Sequence, residues 1–328
     1  MLNVTAQVLF SLKIPQMYYD VRQAFGIPTS FNLFMNSIHG QRIAAFLNLA
    51  RVRIAFMVVI SCGVGFVVAY QGTFDIIRFI CASIGTGLLS SGSCTINCYI
   101  ERDLDALMPR TAGRPIPAGI VSPGLALSYG ISLIVIGTIL LLTVNLLSTI
   151  LGLAAVAIYL GMYTPAKQWT WLNTSIGAIP GAIPPLIGWA AASGNIGLGG
   201  WLLFALMFIW QHTHFLPIAW MFKDEYRAAG FKMLPSLENG GEKTFALTII
   251  TAILLLPLSA MLYWSGSPFV GPAYCFASLI GALALIFSSA RWRMNRSREG
   301  ARTVLLLSLL YLPVLLVGAV IDRLWRWT

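Results

Sequence analysis

Six long stretches without a charged residue constrain this chain more than any other feature of its sequence. They cover residues 54–74, 79–100, 115–166, 168–222, 244–290 and 303–321. A helix needs about 20 apolar residues to cross the hydrocarbon of a bilayer. The three shorter stretches therefore fit one helix each and the three longer stretches fit two each, which predicts nine transmembrane helices.

Composition agrees with a membrane protein. The chain is 58% hydrophobic and only 10% charged, whereas an ordinary soluble protein is about 25% charged. Weak breaks divide the three longer stretches at residues 145–148, 193–195 and 265–268. We predict an all-α fold: a single polytopic domain, residues 44–328, of nine transmembrane helices around a central cavity. Residues 1–43 are expected to form a cytoplasmic extension or an interfacial segment.

The charged residues predict the orientation. In this topology 18 of the 21 Lys and Arg residues lie on the N-terminal side, and only Arg78, Arg323 and Arg326 do not. Basic residues favour the cytoplasmic side, so the N-terminus is expected in the cytoplasm or its organellar equivalent. Nine of the eleven acidic residues lie on the same side. The orientation rule does not require acidic residues there, so they need another explanation.

The first polar cluster follows the second predicted span. If that helix continues to Pro109, Asn97, Glu101 and Asp105 lie on one face, and Asp103 lies on the other,. Carboxylate and amide oxygens are ligands that Mg²⁺ prefers, usually together with water and substrate phosphate. This line of side chains predicts a metal site.

A loop rich in arginine and proline comes directly after this helix. Arg110, Thr111 and Arg114 lie between Pro109 and Pro115. Arginine forks match the geometry of phosphate oxygens, so acids beside arginines indicate a diphosphate site. The alternative is a solvated loop with surface ion pairs, although carboxylates four residues apart repel each other on a helix unless a cation is present.

A second polar cluster follows the sixth predicted span. His212 and His214 lie near the end of an uncharged stretch, where polar side chains are costly and usually functional,. Packing in the helix core is the alternative for both. Downstream, Asp224 and Glu225 are candidates for a second metal site, or for simple ion pairs with Lys223 and Arg227.

Three motifs resemble the UbiA superfamily of intramembrane prenyltransferases, and within it the branch that farnesylates protohaem IX. "NCYIERDLDALMPRTAGRP" (97–115) is similar to the first acidic motif, with Asn97, Glu101 and Asp105 at its ligand positions. The segments 163–189 and 210–235 resemble the central loop and the second acidic motif. One departure is Gln168 after Lys167, where the family usually has Lys-Arg. The resemblance runs from about Asn48 to the last span.

The resemblance implies a function and a set of site residues. It implies Mg²⁺ as cofactor, farnesyl diphosphate as donor and haem B as acceptor, with haem O as product. The metal ligands would be Asn97, Glu101, Asp105 and Asp224, and these with Glu225 would be catalytic. Substrate-binding positions would be Arg102, Arg110, Arg114, Lys167, His212, His214, Lys223, Tyr226 and Arg227.

The resemblance also implies surroundings and partners. The protein is expected in the bacterial inner membrane, or alternatively the mitochondrial inner membrane, embedded in the lipid bilayer and with no nucleic acid partner. A haem A synthase or an oxidase assembly protein is a candidate partner.

Two other functions stay open. An enzyme that prenylates a quinone precursor or chlorophyllide would share the first motif, but it would not predict the run "HTHF" at 212–215. A transporter is the alternative from a different class, but transporters place polar groups near the middle of the membrane. Here the charge lies at one boundary, which favours an enzyme.

Overall fold

The structure, a computed structural model, describes residues 38–263 and 270–325. Every regular element in these ranges is helical, and one turn, Ile158–Tyr163, is a π-helix. The α-helices are α1 (Ile38–Leu49), α2 (Val52–Ala69), α3 (Ile76–Ile100), α4 (Arg102–Leu107), α5 (Pro123–Leu142), α6 (Leu146–Ala157), α7 (Thr164–Trp169), α8 (Asn173–Ser193), α9 (Leu198–Met221), α10 (Lys223–Ala228), α11 (Leu234–Leu237), α12 (Glu242–Tyr263), α13 (Pro272–Asn295) and α14 (Arg298–Trp325).

The prediction of nine transmembrane helices is confirmed. Over the described ranges, nine helical segments are long and apolar enough to cross a membrane, with α6, the π-turn and α7 counted as one. The predicted breaks at 145–148 and 193–195 adjoin the observed ones: α5 ends at Leu142 and α8 ends at Ser193. The break predicted at 265–268 lies outside the described residues, as does the chain before Ile38.

Helix α1 crosses the boundary predicted between residues 43 and 44. It is continuous from Ile38 to Leu49 and then turns sharply at Arg51 into α2. Ala45 and Leu49 pack against Cys98 near the end of α3. This end of α1 is therefore part of the bundle and lies beside the first polar cluster.

The helix predicted to run unbroken to Pro109 is interrupted once. Glu101, with φ −89° and ψ 6°, separates α3 from α4. The bonds from Glu101 N to Asn97 O and from Asp105 N to Glu101 O are nevertheless present, so the helical phase continues through the break. Met108 is extended, as expected for a residue before proline, and this ends α4,.

Eight of the nine transmembrane segments form two packed groups, and the ninth, α5, packs against α3. Helices α2, α3, α6, α8 and α9 surround an apolar cavity, while α12, α13 and α14 pack behind α9 in a separate apolar core. Close contact between α2 and α8 depends on Gly65 and Gly188. A Cβ atom on Gly188 would lie 1.8 Å from the carbonyl oxygen of Cys62, which leaves no room for a side chain.

Candidate active site

The first acidic cluster has the predicted one-sided arrangement. Asn97, Glu101 and Asp105 are all buried, whereas the Asp103 side chain is 85% exposed. Because the backbone bonds keep their helical spacing through Glu101, the three buried side chains follow one face over successive turns. The same face turns toward the interior of the bundle.

Each of the two buried carboxylates is bound to a cation from another segment. Lys167 Nζ, on α7, lies 2.6 Å from Glu101 Oε1. Arg114, in the loop after α4, donates to Asp105 Oδ2. Burial alone would raise the pKa of Glu101, but the charge and hydrogen bond of Lys167, assisted by Arg114, hold it below its ordinary value,. Glu101 is therefore ionised at neutral pH.

Arg110 connects the first and second clusters. Its Nε lies 3.7 Å from Glu225 Oε2, and its Nη1 donates to the Tyr226 hydroxyl at 3.3 Å. The guanidinium also lies over the rings of Phe222 and Tyr226. The structure thus brings together Arg110, Arg114, Lys167 and Tyr226, four of the positions that the resemblance implies for substrate binding.

These side chains line a small polar cavity at the N-terminal side of the bundle. Its walls are Arg51, Glu101, Asp105, Met108, Arg110, Arg114, Tyr163, Lys167, Tyr226, Phe231 and Met233. Beside it lies the apolar cavity, part of it open, whose walls are mostly aliphatic, small and aromatic side chains. Tyr163 lines both cavities, so it lies where a polar and an apolar part of one substrate would meet.

A local irregularity places Tyr163 at this junction. It ends the π-helical turn Ile158–Tyr163, a type of turn found frequently at functional sites. Gly177 gives its ring room, since a Cβ atom there would lie 2.5 Å from the ring. Lys167 Nζ lies 4.6 Å from the ring centroid. The buried Tyr163 hydroxyl has no hydrogen-bond partner within the described part of the chain.

The side-chain oxygens of the first acidic cluster fit a divalent cation. Asn97 Nδ2 donates to Thr164 Oγ1 at 3.1 Å. This leaves Asn97 Oδ1 as a buried acceptor without a partner among the described residues. Together with the carboxylates of Glu101 and Asp105, it provides the oxygen ligands that Mg²⁺ prefers. No group of three or more His, Cys, Asp or Glu side chains with metal-binding spacing occurs in the described residues, so phosphate and water oxygens would complete the coordination.

Most of the second cluster lies away from the polar cavity. The Asp224 side chain is 82% exposed and forms an ion pair with Arg227 at 3.5 Å, which is the alternative that the sequence left open. Lys223 lies over the ring of Trp220. Arg102, which belongs to the first cluster, also lies outside the cavity and donates to the carbonyl of Tyr99. In this structure none of these four charged side chains lines the polar cavity, and their site roles stay predictions.

The two histidines of α9 point to different neighbours. His212 donates from Nδ1 to the Phe208 carbonyl at 2.8 Å, and its Nε2 lies 2.9 Å from Ser175 Oγ. His214 faces α14, with Nδ1 2.9 Å from Ser308 Oγ, and stacks on Trp210. Gln211, directly before His212 in the sequence, lines the apolar cavity. Because both nitrogens of His212 are engaged, iron ligation by His212 would require one of these bonds to break.

Arg51, Tyr163 and Gln168 are positions at which only the structure decides whether the side chain lines the polar cavity. Arg51 and Tyr163 line the polar cavity, but sequence reasoning missed them. Arg51 looks like a flanking charge before an uncharged stretch, and an arginine two residues later has the same appearance. Gln168 is exposed, whereas its neighbour Lys167 is buried, and only Lys167 lines the polar cavity.

Fold and site together define a polytopic membrane protein that can hold an anion at one boundary above an apolar cavity. The model of the UbiA prenyltransferase family matches residues 58–310. The chain is 38% identical over 288 residues to the protoheme IX farnesyltransferase of Solibacter usitatus, covering 85% of this chain and 98% of that protein. The chain belongs to the UbiA prenyltransferase family.

Solved structures confirm the fold. A UbiA homologue from Aeropyrum pernix, in its apo form, superposes with a TM-score of 0.67 at 22% identity, covering 82% of this chain and 98% of that one. A UbiA homologue from Archaeoglobus fulgidus, bound to GPP and Mg²⁺, superposes with a TM-score of 0.59 at 16% identity, covering 84% and 99%. This chain therefore shares its fold with these two UbiA homologues.

Proposed function

We propose that this protein transfers the farnesyl group of farnesyl diphosphate to a vinyl group of haem B, which yields haem O. One structural observation carries the proposal: a polar cavity lined by arginine, lysine and carboxylate side chains adjoins an apolar cavity at Tyr163. This pairing suits a ligand with a diphosphate head and an isoprenoid tail. Relatives that are 34–42% identical over most of the chain are protoheme IX farnesyltransferases, which supports haem B as the acceptor.

The side chains of the polar cavity would bind and activate the diphosphate. Arg110, Arg114 and Lys167 offer N–H donors, and negative charge grows on the leaving oxygen as the allylic C–O bond breaks. Asn97, Glu101 and Asp105 would hold Mg²⁺. The bound cation would neutralise part of the charge that develops on the diphosphate.

The apolar cavity would protect the reaction from water. Its walls are mostly aliphatic and small side chains of α2, α3, α6 and α8. When diphosphate leaves with the bonding electron pair, the allylic cation that remains is open to attack by water unless the cavity excludes it. The vinyl carbon of haem B then attacks the farnesyl cation. Only after this C–C bond has formed does a water molecule add to the new cation on the haem side chain and lose a proton, which leaves a hydroxyethylfarnesyl group.

The orientation of the protein follows from its basic residues. The polar cavity lies on the side that carries most Lys and Arg residues, and this side is cytoplasmic in bacterial membranes. The bacterial relatives support the cell membrane as the location. Both substrates would therefore enter from the cytoplasmic leaflet.

A purified-enzyme assay tests the proposal. The protein is incubated with haem B, farnesyl diphosphate and Mg²⁺, and the haem is analysed by mass spectrometry. We expect a product that has gained one farnesyl group and the elements of water, together with release of diphosphate. A chelator in excess should stop both, and added Mg²⁺ should restore both. Diphosphate release with a quinone precursor or chlorophyllide, but not with haem B, would assign a different acceptor; no release with any acceptor would exclude a prenyltransferase.

A further inference from the structure

Arg51 is a buried cation that the polar cavity contains without a carboxylate to balance it. Arg110, Arg114 and Lys167 each pair with one carboxylate. Arg51 is only 7% exposed, and within residues 38–263 and 270–325 no carboxylate lies within ion-pair distance of it. Its hydrogen-bond partner is the Cys98 thiol, 3.7 Å from Nη2, which is a weak acceptor.

A buried guanidinium without a carboxylate partner is energetically unfavourable. Removing a charge from water without an ionic partner costs far more free energy than a thiol contact returns. The charge tally shows the same excess. Four cations line the cavity, two carboxylates line it with them, and Glu225 pairs with Arg110 from outside, so one positive charge is left over. An anion that enters the cavity would remove this penalty.

The backbone of Arg51 is also unusual. It lies in the left-handed region, with φ 47° and ψ 53°, which residues other than glycine rarely occupy. Its carbonyl accepts from the amides of Ile54 and Ala55 and so starts α2, while its own amide donates to the Asn48 carbonyl. Glycine would make this turn with less strain. Strained residues of this kind cluster at active sites and ligand clamps.

These two independent observations point to a ligand. We propose that Arg51 is a further substrate-binding residue, whose guanidinium binds an anionic oxygen of a substrate as it enters the polar cavity. The oxyanion comes either from the diphosphate of the donor or from a carboxylate of the acceptor. The proposal rests on the proposed function and adds to it a contact from the α1–α2 turn.

Binding measurements with three variants test this. Arg51→Gly removes the guanidinium and relieves the backbone, and Arg51→Lys keeps the charge. Arg53→Met is the matched control, since Arg53 is exposed two residues further along. Dissociation constants are measured for farnesyl diphosphate, haem B and haem B dimethyl ester, whose carboxylates are esterified. Thermal midpoints report folding, and wild-type turnover reports the proposed function separately.

We expect Arg51→Gly to be at least as stable as wild type and to bind one substrate at least about tenfold more weakly, the usual scale for a lost charged hydrogen bond. Arg51→Lys should retain most of the affinity, and Arg53→Met all of it. Weaker binding of farnesyl diphosphate alone identifies the diphosphate. Weaker binding of haem B, with the dimethyl ester bound equally by wild type and variant, identifies a carboxylate.

Two results would overturn the inference. Unchanged affinity of Arg51→Gly for both substrates would remove Arg51 from substrate binding. A clear loss of thermal stability in Arg51→Gly would show that Arg51 supports the fold instead. Wild-type turnover with haem B, measured in the same preparation, tests the proposed function separately from these two results.

Discussion

At the scale of single residues, the site is a set of charges already balanced inside the protein. Lys167 compensates Glu101 and Arg114 compensates Asp105. A cation and a diphosphate that arrive together offer each of these side chains a new partner of opposite charge. Partner exchange of this kind keeps every buried charge compensated before and after binding, which limits the desolvation cost.

The first prediction separates three acidic residues that are close neighbours in the sequence. Changing Glu101→Gln or Asp105→Asn removes a buried carboxylate that faces the polar cavity. We expect turnover to fall at least about 100-fold, or ~2.7 kcal/mol of transition-state stabilisation. Asp103→Asn is the matched control, because this side chain is 85% exposed, and it should lose less than about tenfold in rate. Turnover is measured at equal amounts of folded protein.

Equal loss of activity in all three variants would contradict the one-face arrangement. It would mean that the whole acidic run acts together, although Asp103 points away from the cavity in the structure. A large loss for Asp103→Asn alone would instead point to a role for its ion pair with Arg102.

The Glu101–Lys167 pair also predicts a dependence of stability on pH. Because the pKa of Glu101 is lowered in the folded protein, the unfolded chain takes up its proton first as the pH falls. The contribution of this pair to the free energy of unfolding is therefore complete above about pH 4.3, the ordinary pKa of Glu. It is lost as the pH falls through the lower pKa that Glu101 has in the folded protein. The difference in thermal midpoint between wild type and the double variant Glu101→Gln/Lys167→Met should become smaller below about pH 4.3. A difference that stays constant from pH 7 to below that point would contradict the shift.

At the scale of elements, the crossing of α2 and α8 controls the shape of the apolar cavity. Gly65 and Gly188 let the two backbones touch, and Pro180 and Pro184 of α8 line the cavity. Small residues of this kind allow close packing of transmembrane helices. The Gly-Ala-Pro run at 177–188 thus serves packing at some positions and forms the cavity wall at others.

The helix crossing gives a prediction about stability. Gly188→Ala places a methyl group where a Cβ atom lies 1.8 Å from the Cys62 carbonyl oxygen. We expect the two helices to move apart, at a cost of about 1–3 kcal/mol, and the thermal midpoint in detergent to fall. Gly124→Ala is the control, since nothing from another part of the chain lies within 4 Å of its Cβ position, and its midpoint should not fall because Ala favours a helix more than Gly does. Equal midpoints for both variants would show that the crossing is not in close contact.

At the scale of the whole molecule, the polar cavity and most of the charge lie at one membrane boundary. The loop after α4, the turn between α1 and α2, and the segments around α7 and α10 all meet there. They come from widely separated parts of the chain. Nine membrane crossings return the chain to this side after every second span, which is why four distant segments can build one cavity.

The orientation can be tested with a membrane-impermeant thiol reagent in intact cells. Ser122 and Thr73 are both exposed, on opposite sides of the bundle. We expect Thr73→Cys to react from outside, and Ser122→Cys to react only after the membrane is permeabilised. Wild-type protein measures the background from the five native cysteines. Labelling of Ser122→Cys in intact cells would place the polar cavity outside the cytoplasm.

The sequence by itself determined the class of the fold and the first half of the site. Uncharged stretches of membrane-spanning length specify nine crossings because the bilayer requires about 20 apolar residues for each. Helical spacing separated Asp103 from Glu101 and Asp105 because neighbours in a helix differ by a fixed angle. Both results depend on local rules, so they survived even the interruption of the helix at Glu101.

Tertiary structure alone decided which charges meet. Lys167 is 66 residues from Glu101, and Arg110 is 115 residues from Glu225, so no local rule could pair them. It also separated Asp224 and Gln168, which are exposed, from Arg51 and Tyr163, which line the cavity. Side-chain direction at these positions follows from helix packing and from two local distortions, a left-handed turn and a π-turn. The left-handed turn at Arg51 has no glycine to indicate it, whereas the π-turn is followed by Pro165, which removes a helical hydrogen bond,.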